Sequence, residues 1–279
     1  MPGEQATWDL VTRMAPPVLA DYAFDYIGYR NETGGFRQIT TPSGGVVVIL
    51  NLGDPYRIQN GLGAACENFD SFIAGLSDVP GYVEATGLSA GVQVNLTPVG
   101  ARLLTGLPMH LLTNAVLNVE DVFGPESGEL LERLREATSW GARFQIIDRF
   151  IQARLLAASE RPDAMLWAYA TLRRTSGGAS IASLAEALGY SQKHLIAQFR
   201  EHLGLPPKTL ARVMRFEGAV RMIGKANPPD WQQIVLDCGY YDQAHLIREF
   251  KQFAGMTPGE YASRLRPGDA NIMEPVGER

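Results

Sequence analysis

A passage near the C-terminal end of the chain is written twice. Gly189-Tyr190-Ser191-Gln192-Lys193-His194-Leu195-Ile196-Ala197-Gln198-Phe199-Arg200 and Gly239-Tyr240-Tyr241-Asp242-Gln243-Ala244-His245-Leu246-Ile247-Arg248-Glu249-Phe250 share Gly-Tyr, Leu-Ile and Phe in the same order, about fifty residues apart. Each copy follows an apolar helical stretch and is followed by Gly-x-x-Pro. Such a repeat means that one small helical unit is used twice, and the unit reads as helix-turn-helix.

In the first copy Ser180 caps a short helix whose Ile181, Leu184, Ala185 and Leu188 recur with the spacing of one buried face. Gly189 supplies the left-handed turn that ends it, Tyr190 anchors the corner, and Ser191 caps a second helix with Leu195 and Phe199 inward. The second copy places Ile234, Val235 and Cys238 on its first helix, Gly239 at the turn, and Leu246 and Phe250 inside the next. In each unit the outer face of the second helix is left free to enter a groove.

The segment from about Ala164 to Leu265 resembles the DNA-binding domain of the AraC/XylS-type (arabinose operon regulator-like) transcription factors. The residues that carry the likeness are the two units, the run Leu205-Pro206-Pro207-Lys208 through Arg212, Arg215 and Phe216 to Ile223, and the closing Gly255-Met256-Thr257-Pro258-Gly259-Glu260-Tyr261. The resemblance implies two helix-turn-helix units joined by a long linker helix from Pro207 to about Lys225, base contacts from both second helices, and a cupin-like effector-binding or dimerisation domain ahead of them.

Charge is distributed accordingly. Residues 163–266 hold 13 Lys and Arg against 9 Asp and Glu, whereas residues 1–162 hold 11 against 18. A basic domain supplies the phosphate attraction that DNA binding needs, and an acidic companion is kept off the duplex.

With Leu195 and Phe199 inward, Ser191, Gln192, Lys193, Ile196, Ala197 and Arg200 lie on or near the groove face of the first unit. In the second unit Asp242, Gln243, His245 and Arg248 do so, with Glu249 at the margin of that face. Gln bridges N6 and N7 of adenine and Arg grips O6 and N7 of guanine, so Gln243 and Arg248 are the best direct readers. Ile196 and Ala197 can pack on thymine methyls but make no bidentate hydrogen bonds, so the first unit is expected to read fewer bases or to rely on DNA shape. A packing contact with the linker helix is the other reading of Ile196. Arg200, Lys208, Arg212 and Arg215 read as phosphate clamps or as helix-surface charges. His194 and His245, each just ahead of the Leu-Ile pair, suggest a shared packing or backbone role.

The N-terminal part carries short apolar runs broken by Gly, Pro, Asn and Asp: Val18 to Tyr29, Gly45 to Leu52, Phe69 to Ile73, Tyr82 to Thr86 and Val92 to Leu96. Their spacing predicts a small antiparallel barrel or sandwich. After Thr97-Pro98-Val99-Gly100 the period becomes helical, over Ala101 to Leu104, His110 to Val122, Ser127 to Ala137 and Phe144 to Ala158. Residues 101–158 either form a dimer contact or cover one barrel face. Ser159-Glu160-Arg161-Pro162-Asp163 is the candidate linker.

Residues 1–100 contain no histidine, so the metal cage of a cupin enzyme has no ligands there. The histidines are His110, His194, His202 and His245. A nucleophile elbow, phosphate loop or dinucleotide fingerprint is absent from the sequence, which argues against an enzyme and implies no cofactor. Cys66 and Cys238 fall in different predicted domains, as expected of unpaired cysteines in a cytoplasmic, nucleoid-associated protein. No apolar run approaches the ~20 residues of a membrane span.

The expected fold class is α+β, in three parts. Residues 1–160 form a cupin-like β-barrel with packed helices, residues 164–266 an all-α double helix-turn-helix domain, and residues 267–279 a flexible tail. The expected partners are an operator in duplex DNA, a small-molecule effector, a second copy of the chain, and RNA polymerase if the protein activates. An effector inside the barrel would meet Tyr22, Phe24, Phe36, Val48, Leu50 and Tyr82, although residues of these types also make plain core. The alternative is constitutive DNA binding with an N-terminal interaction module that takes no ligand.

Overall fold

The computed structural model describes residues 8–32, 35–159, 162–225, 228–265 and 272–275. The N-terminal half is built on strands β1 (Asp9–Met14), β2 (Ala23–Asn31), β3 (Phe36–Thr40), β4 (Val46–Asn51), β5 (Tyr56–Gln59), β6 (Cys66–Phe69), β7 (Phe72–Ala74), β8 (Gly81–Ala85), β9 (Ser89–Leu96) and β10 (Val116–Asn118). One antiparallel sheet runs β1-β2-β9-β4-β7-β10 and the other contains β3-β8-β5-β6. The β-branched run Val46 to Ile49 makes β4 an interior strand, flanked by β9 and β7 and largely buried.

Alternation along the strands sorts two cores. Tyr29, Phe36, Ile49, Tyr56 and Phe72 meet between the sheets. Tyr26, Val48, Leu50, Val92 and Val94 point the other way, under helices α1 (Pro98–Thr105), α2 (Val119–Phe123), α3 (Pro125–Glu136) and α4 (Trp140–Ala157). Thr97 starts α1 by accepting from the backbone N–H of Gly100, with Pro98 in the first turn. The expected single helix from His110 to Val122 does not form. Asn114 takes a left-handed φ of 52°, and Val116–Asn118 pairs with Phe72 to Ala74 before α2 begins. Strands β1, β3, β5 and most of β6 went unread because their sequences mix polar and apolar residues without a strong run.

The C-terminal half consists of α5 (Asp163–Arg174), α6 (Ile181–Ala187), α7 (Gln192–Leu203), α8 (Pro207–Lys225), α9 (Trp231–Asp237), α10 (Gln243–Ala254) and α11 (Pro258–Arg264). The linker helix α8 has the bounds expected. Of the candidate linker between the halves, Glu160 and Arg161 lie outside the described residues.

The expected flexible tail is corrected in part. Met273–Pro275 forms strand β11, which pairs antiparallel with β3, and Ile272 is buried beside it. An apolar Ile-Met pair next to an open sheet edge explains this, because the strand satisfies the backbone groups of β3. The rest of that segment lies outside the described residues.

The halves pack closely. Tyr169 of α5 donates to the carbonyl of Gly44 (2.7 Å), and Gly44 donates its N–H to Glu217 of α8 (3.1 Å). Arg173 lies 3.9 Å over the ring of Phe24. At the far end of α7, Glu201 pairs with Arg102 of α1 (3.3 Å) and lies 3.6 Å from His110. Thr113 donates to the carbonyl of Gly204 (3.0 Å).

Candidate nucleic-acid interface

The two units are built alike, down to their caps. Gly189 and Gly239 take φ of 66° and 69° after α6 and α9, the left-handed corner that glycine occupies without a Cβ penalty. Ser191 accepts from the N–H of His194 (3.2 Å), and Asp242 accepts from the N–H of His245 (2.7 Å). Aligning the caps gives a fixed register in which Gln192 matches Gln243, His194 matches His245, Ile196 matches Ile247, Ala197 matches Arg248 and Arg200 matches Lys251. The second unit carries one additional residue between its Gly-Tyr corner and its cap. That residue is Tyr241, 92% exposed.

The inward faces also correspond. Leu195 and Phe199 on α7, and Leu246 and Phe250 on α10, are buried. Tyr190 meets His194 edge-on at 4.5 Å, and Tyr240 meets His245 at 5.2 Å. The histidines thus brace the corners, as their matched positions suggested.

Outward on α7 lie Gln192, Lys193, Ile196, Ala197 and Arg200, all exposed. Ile196 is 39% exposed, and the packing alternative for it is not what forms. Outward on α10 lie Gln243, Ala244, Ile247, Arg248 and Lys251. Two of the expected contact residues are placed differently. The carboxylate of Asp242 is engaged by the helix N-terminus. His245 is half-buried, with Nδ1 accepting from the N–H of Tyr241 (3.4 Å) and Nε2 3.7 Å from Glu249. The third residue of a helix that follows a buried tyrosine corner faces that corner. Ser191 is likewise a cap, although exposed.

Both units carry an apolar residue on the groove face, since Ile247 is as exposed as Ile196, at 39%. Sequence reasoning missed Ile247, Lys251 and Tyr241. Aligning the copies on Ser191 and Asp242 instead of on the glycines finds all three.

Between the units, α8 aims Lys208, Arg212 and Arg215 at a cleft of about 620 Å³. Glu249 of α10, expected at the margin of the groove face, is instead buried against this stripe, 2% exposed at its side chain, 2.7 Å from Nε of Arg212 and 4.0 Å from Arg215. Arg212 also donates to Gln252 (2.6 Å). Burial, together with the nearby Glu249 carboxylate, pushes the Tyr240 hydroxyl well above its ordinary pKa.

The six residues expected to meet an effector are not brought together. Val48 and Leu50 face helices α3 and α4 around a space of about 20 Å³, too small for an organic ligand. Phe36 lies between the sheets. Phe24 is stacked under Arg173 and Tyr82 under Arg37, both as parts of other contacts, and Tyr22 is half-buried at the start of β2. The polar side chains on the inner face are instead Asp25, Asn95 and Gln93, linked in a chain in which Asn95 donates to Asp25 and Gln93 donates to Asn95. Alternation on β2 and β9 puts them on the side of Tyr29, whose hydroxyl accepts from Tyr56 (2.9 Å). Among the described residues no three His, Cys, Asp or Glu side chains are grouped to hold a metal ion, and no helix is long and apolar enough to cross a membrane.

Comparison with known proteins agrees with the geometry of the C-terminal half. The helix-turn-helix domain family matches residues 184–264. An uncharacterized HTH-type transcriptional regulator of Haemophilus influenzae is 27% identical over 92 residues, which span 33% of this chain and 30% of that protein. Among solved structures, ToxT from Vibrio cholerae is 11% identical with a TM-score of 0.49, over 86% of this chain and 98% of that one. The AraC-like transcriptional activator CuxR is 18% identical with a TM-score of 0.30, over 74% and 84%. The C-terminal third of the chain thus carries a helix-turn-helix domain, matched over residues 184–264, and the chain spans about a third of the length of the curated regulator it resembles.

Proposed function

We propose that the protein is a sequence-specific DNA-binding transcription regulator whose helices α7 and α10 enter successive major-groove segments on one face of the duplex. The observation that carries this is the matched pair of exposed helix faces, Gln192 with Ile196 and Gln243 with Ile247, each set on its own capped corner. Side chains of these types read adenine and thymine edges in the major groove. Units one DNA turn apart are separated by about 34 Å, and any difference between that figure and the spacing fixed by α8 is met by bending the duplex.

The N-terminal half is the regulatory part in this reading. A small polar effector between the sheets, against Asp25, Gln93 and Asn95, would alter the inner strands on which the DNA-binding half rests. A second copy would dock on the open face of α4, where Leu156 is exposed, and RNA polymerase would be a partner only of an activator. The protein works in the cytoplasm, where its DNA is.

Selection from random duplex DNA, followed by titration with an Arg248→Ala variant, tests the DNA reading. The expected result is one defined motif, with a loss of about 1–3 kcal/mol in the variant and relaxed preference at a single guanine position. Recovery of unrelated sequences bound with equal affinity would defeat it.

A further inference from the structure

We infer that the cleft between the two helix-turn-helix units is a phosphate-binding site, with Lys208, Arg212 and Arg215 as its donors. Lys208, Arg212 and Arg215 follow one another at i, i+4 and i+7 on α8, so their side chains form one stripe along a single helix face. That stripe lines one wall of the 620 Å³ cleft. The opposite walls are the loop at Gly177 to Ala179 before α6, and the Gly239 corner with His245 and Glu249 of the second unit.

The charges in the cleft do not balance. Three permanent cations face one carboxylate, and Glu249 is engaged from behind by Nε of Arg212, by Arg215 and by His245. Its work is to hold the two guanidinium groups in place. Arg215 meets Glu249 only at 4.0 Å, lies 5.6 Å from the Tyr240 ring centre and lines the cleft with its side chain partly exposed. Lys208 is exposed and makes no ion pair among the described residues. A guanidinium fork held by a carboxylate beside an exposed ammonium group, in a concave site of excess positive charge, suits a tetrahedral oxyanion.

Two sources offer that chemistry. A duplex lying on both α7 and α10 must carry its backbone across the gap between them, which presents a phosphodiester to the cleft. A free phosphate-bearing small molecule would present the same oxygens. The duplex source rests on the DNA-binding reading, and the free source does not.

The test uses the full chain with the selected duplex, a Lys208→Gln variant, and Arg221→Gln as a control for loss of one charge from the exposed part of the same helix. Each phosphate between the two half-sites is replaced in turn by a neutral methylphosphonate. If the duplex occupies the cleft, one replacement weakens the unaltered protein about tenfold, the loss of one charge-assisted contact. The same replacement leaves Lys208→Gln unchanged and weakens Arg221→Gln as it does the unaltered protein.

In parallel, inorganic phosphate is titrated into DNA-free protein and followed by phosphorus NMR. Saturable broadening that Lys208→Gln abolishes and Arg221→Gln keeps assigns the cleft to a free phosphate compound. No sensitive linkage together with no saturable broadening overturns the proposal. If the protein selects no motif, the DNA-binding reading fails by itself and the phosphate titration alone decides the cleft.

Discussion

Tyr241 shows how much one residue changes in an otherwise repeated unit. The second copy carries it between corner and cap, and it stands 92% exposed just ahead of the recognition helix α10. A large aromatic held open to water at the mouth of a helix whose next turn carries Gln243 has no packing role. Its hydroxyl suits a backbone phosphate, and its ring suits the sugar edge. Tyr241→Ala is therefore expected to weaken duplex binding by about 1 kcal/mol for all sequences alike, because phosphate contacts position without specifying. The folded state should be unaffected, and comparison of binding isotherms with urea midpoints checks both parts. Glu249 is the opposite case. Removing a carboxylate that is 2% exposed leaves Arg212 and Arg215 without their counter-charge, and both of those are only partly screened by water. Glu249→Ala should cost about 2–3 kcal/mol of folding stability, less than a fully buried pair because the arginines reach solvent. Chemical denaturation of the full chain measures it.

At the scale of the elements, the cap-based register predicts the form of the operator. Gln192 and Gln243 stand at equal positions on α7 and α10, as do Ile196 and Ile247, whereas the position of Ala197 is taken by Arg248 in the second unit. The two half-sites should therefore be a direct repeat that shares an adenine and a neighbouring thymine, with a guanine preferred in the second half only. Gln192→Ala and Gln243→Ala should each cost about 1–3 kcal/mol and each relax one adenine, one per half-site, in a selection experiment. Equal relaxation of both adenines by a single variant would count against the register. This part of the molecule was largely legible in the sequence because capping residues, glycine corners and apolar spacing are local signals. The inward set Leu195, Phe199, Leu246 and Phe250 followed from them, whereas the bounds of α8 came from the resemblance of the run Leu205 to Ile223 to a family's linker helix. The inward turn of His245 was half legible: its match with His194 suggested a packing role, while helical spacing alone also allowed it the groove face, and the contacts with Tyr240 and Glu249 decide between them. The effector residues were misjudged for a related reason. A period of two tells which strand residues share a face, but it does not say whether Val48 and Leu50 look between the sheets or out under α3 and α4.

Across the whole molecule, the halves share one buried core. It runs from Leu19 and Tyr26 through Ile39 and Phe144 to Phe216, Phe250 and Tyr261, with Ile272 joining it next to β3. The first unit is attached at both ends, through α5 on the Gly44 turn and through Glu201 and Gly204 at the close of α7. A chain with independent halves would unfold in two steps. A continuous core with strand β11 crossing from the end of the chain onto β3 should unfold in one. Ile272→Ala removes an almost fully buried aliphatic side chain and should cost about 2–4 kcal/mol. The informative part of this experiment is where the cost appears. Urea unfolding can be followed by far-ultraviolet circular dichroism, which sees both the sheets and the helices, and by loss of duplex binding, which sees α7 and α10. In the unaltered chain the two midpoints should coincide, and in Ile272→Ala they should fall together. A fall in the circular dichroism midpoint alone would mean that the DNA-binding half stands without the paired sheets, and that α5 and α7 rest on the N-terminal half without depending on it.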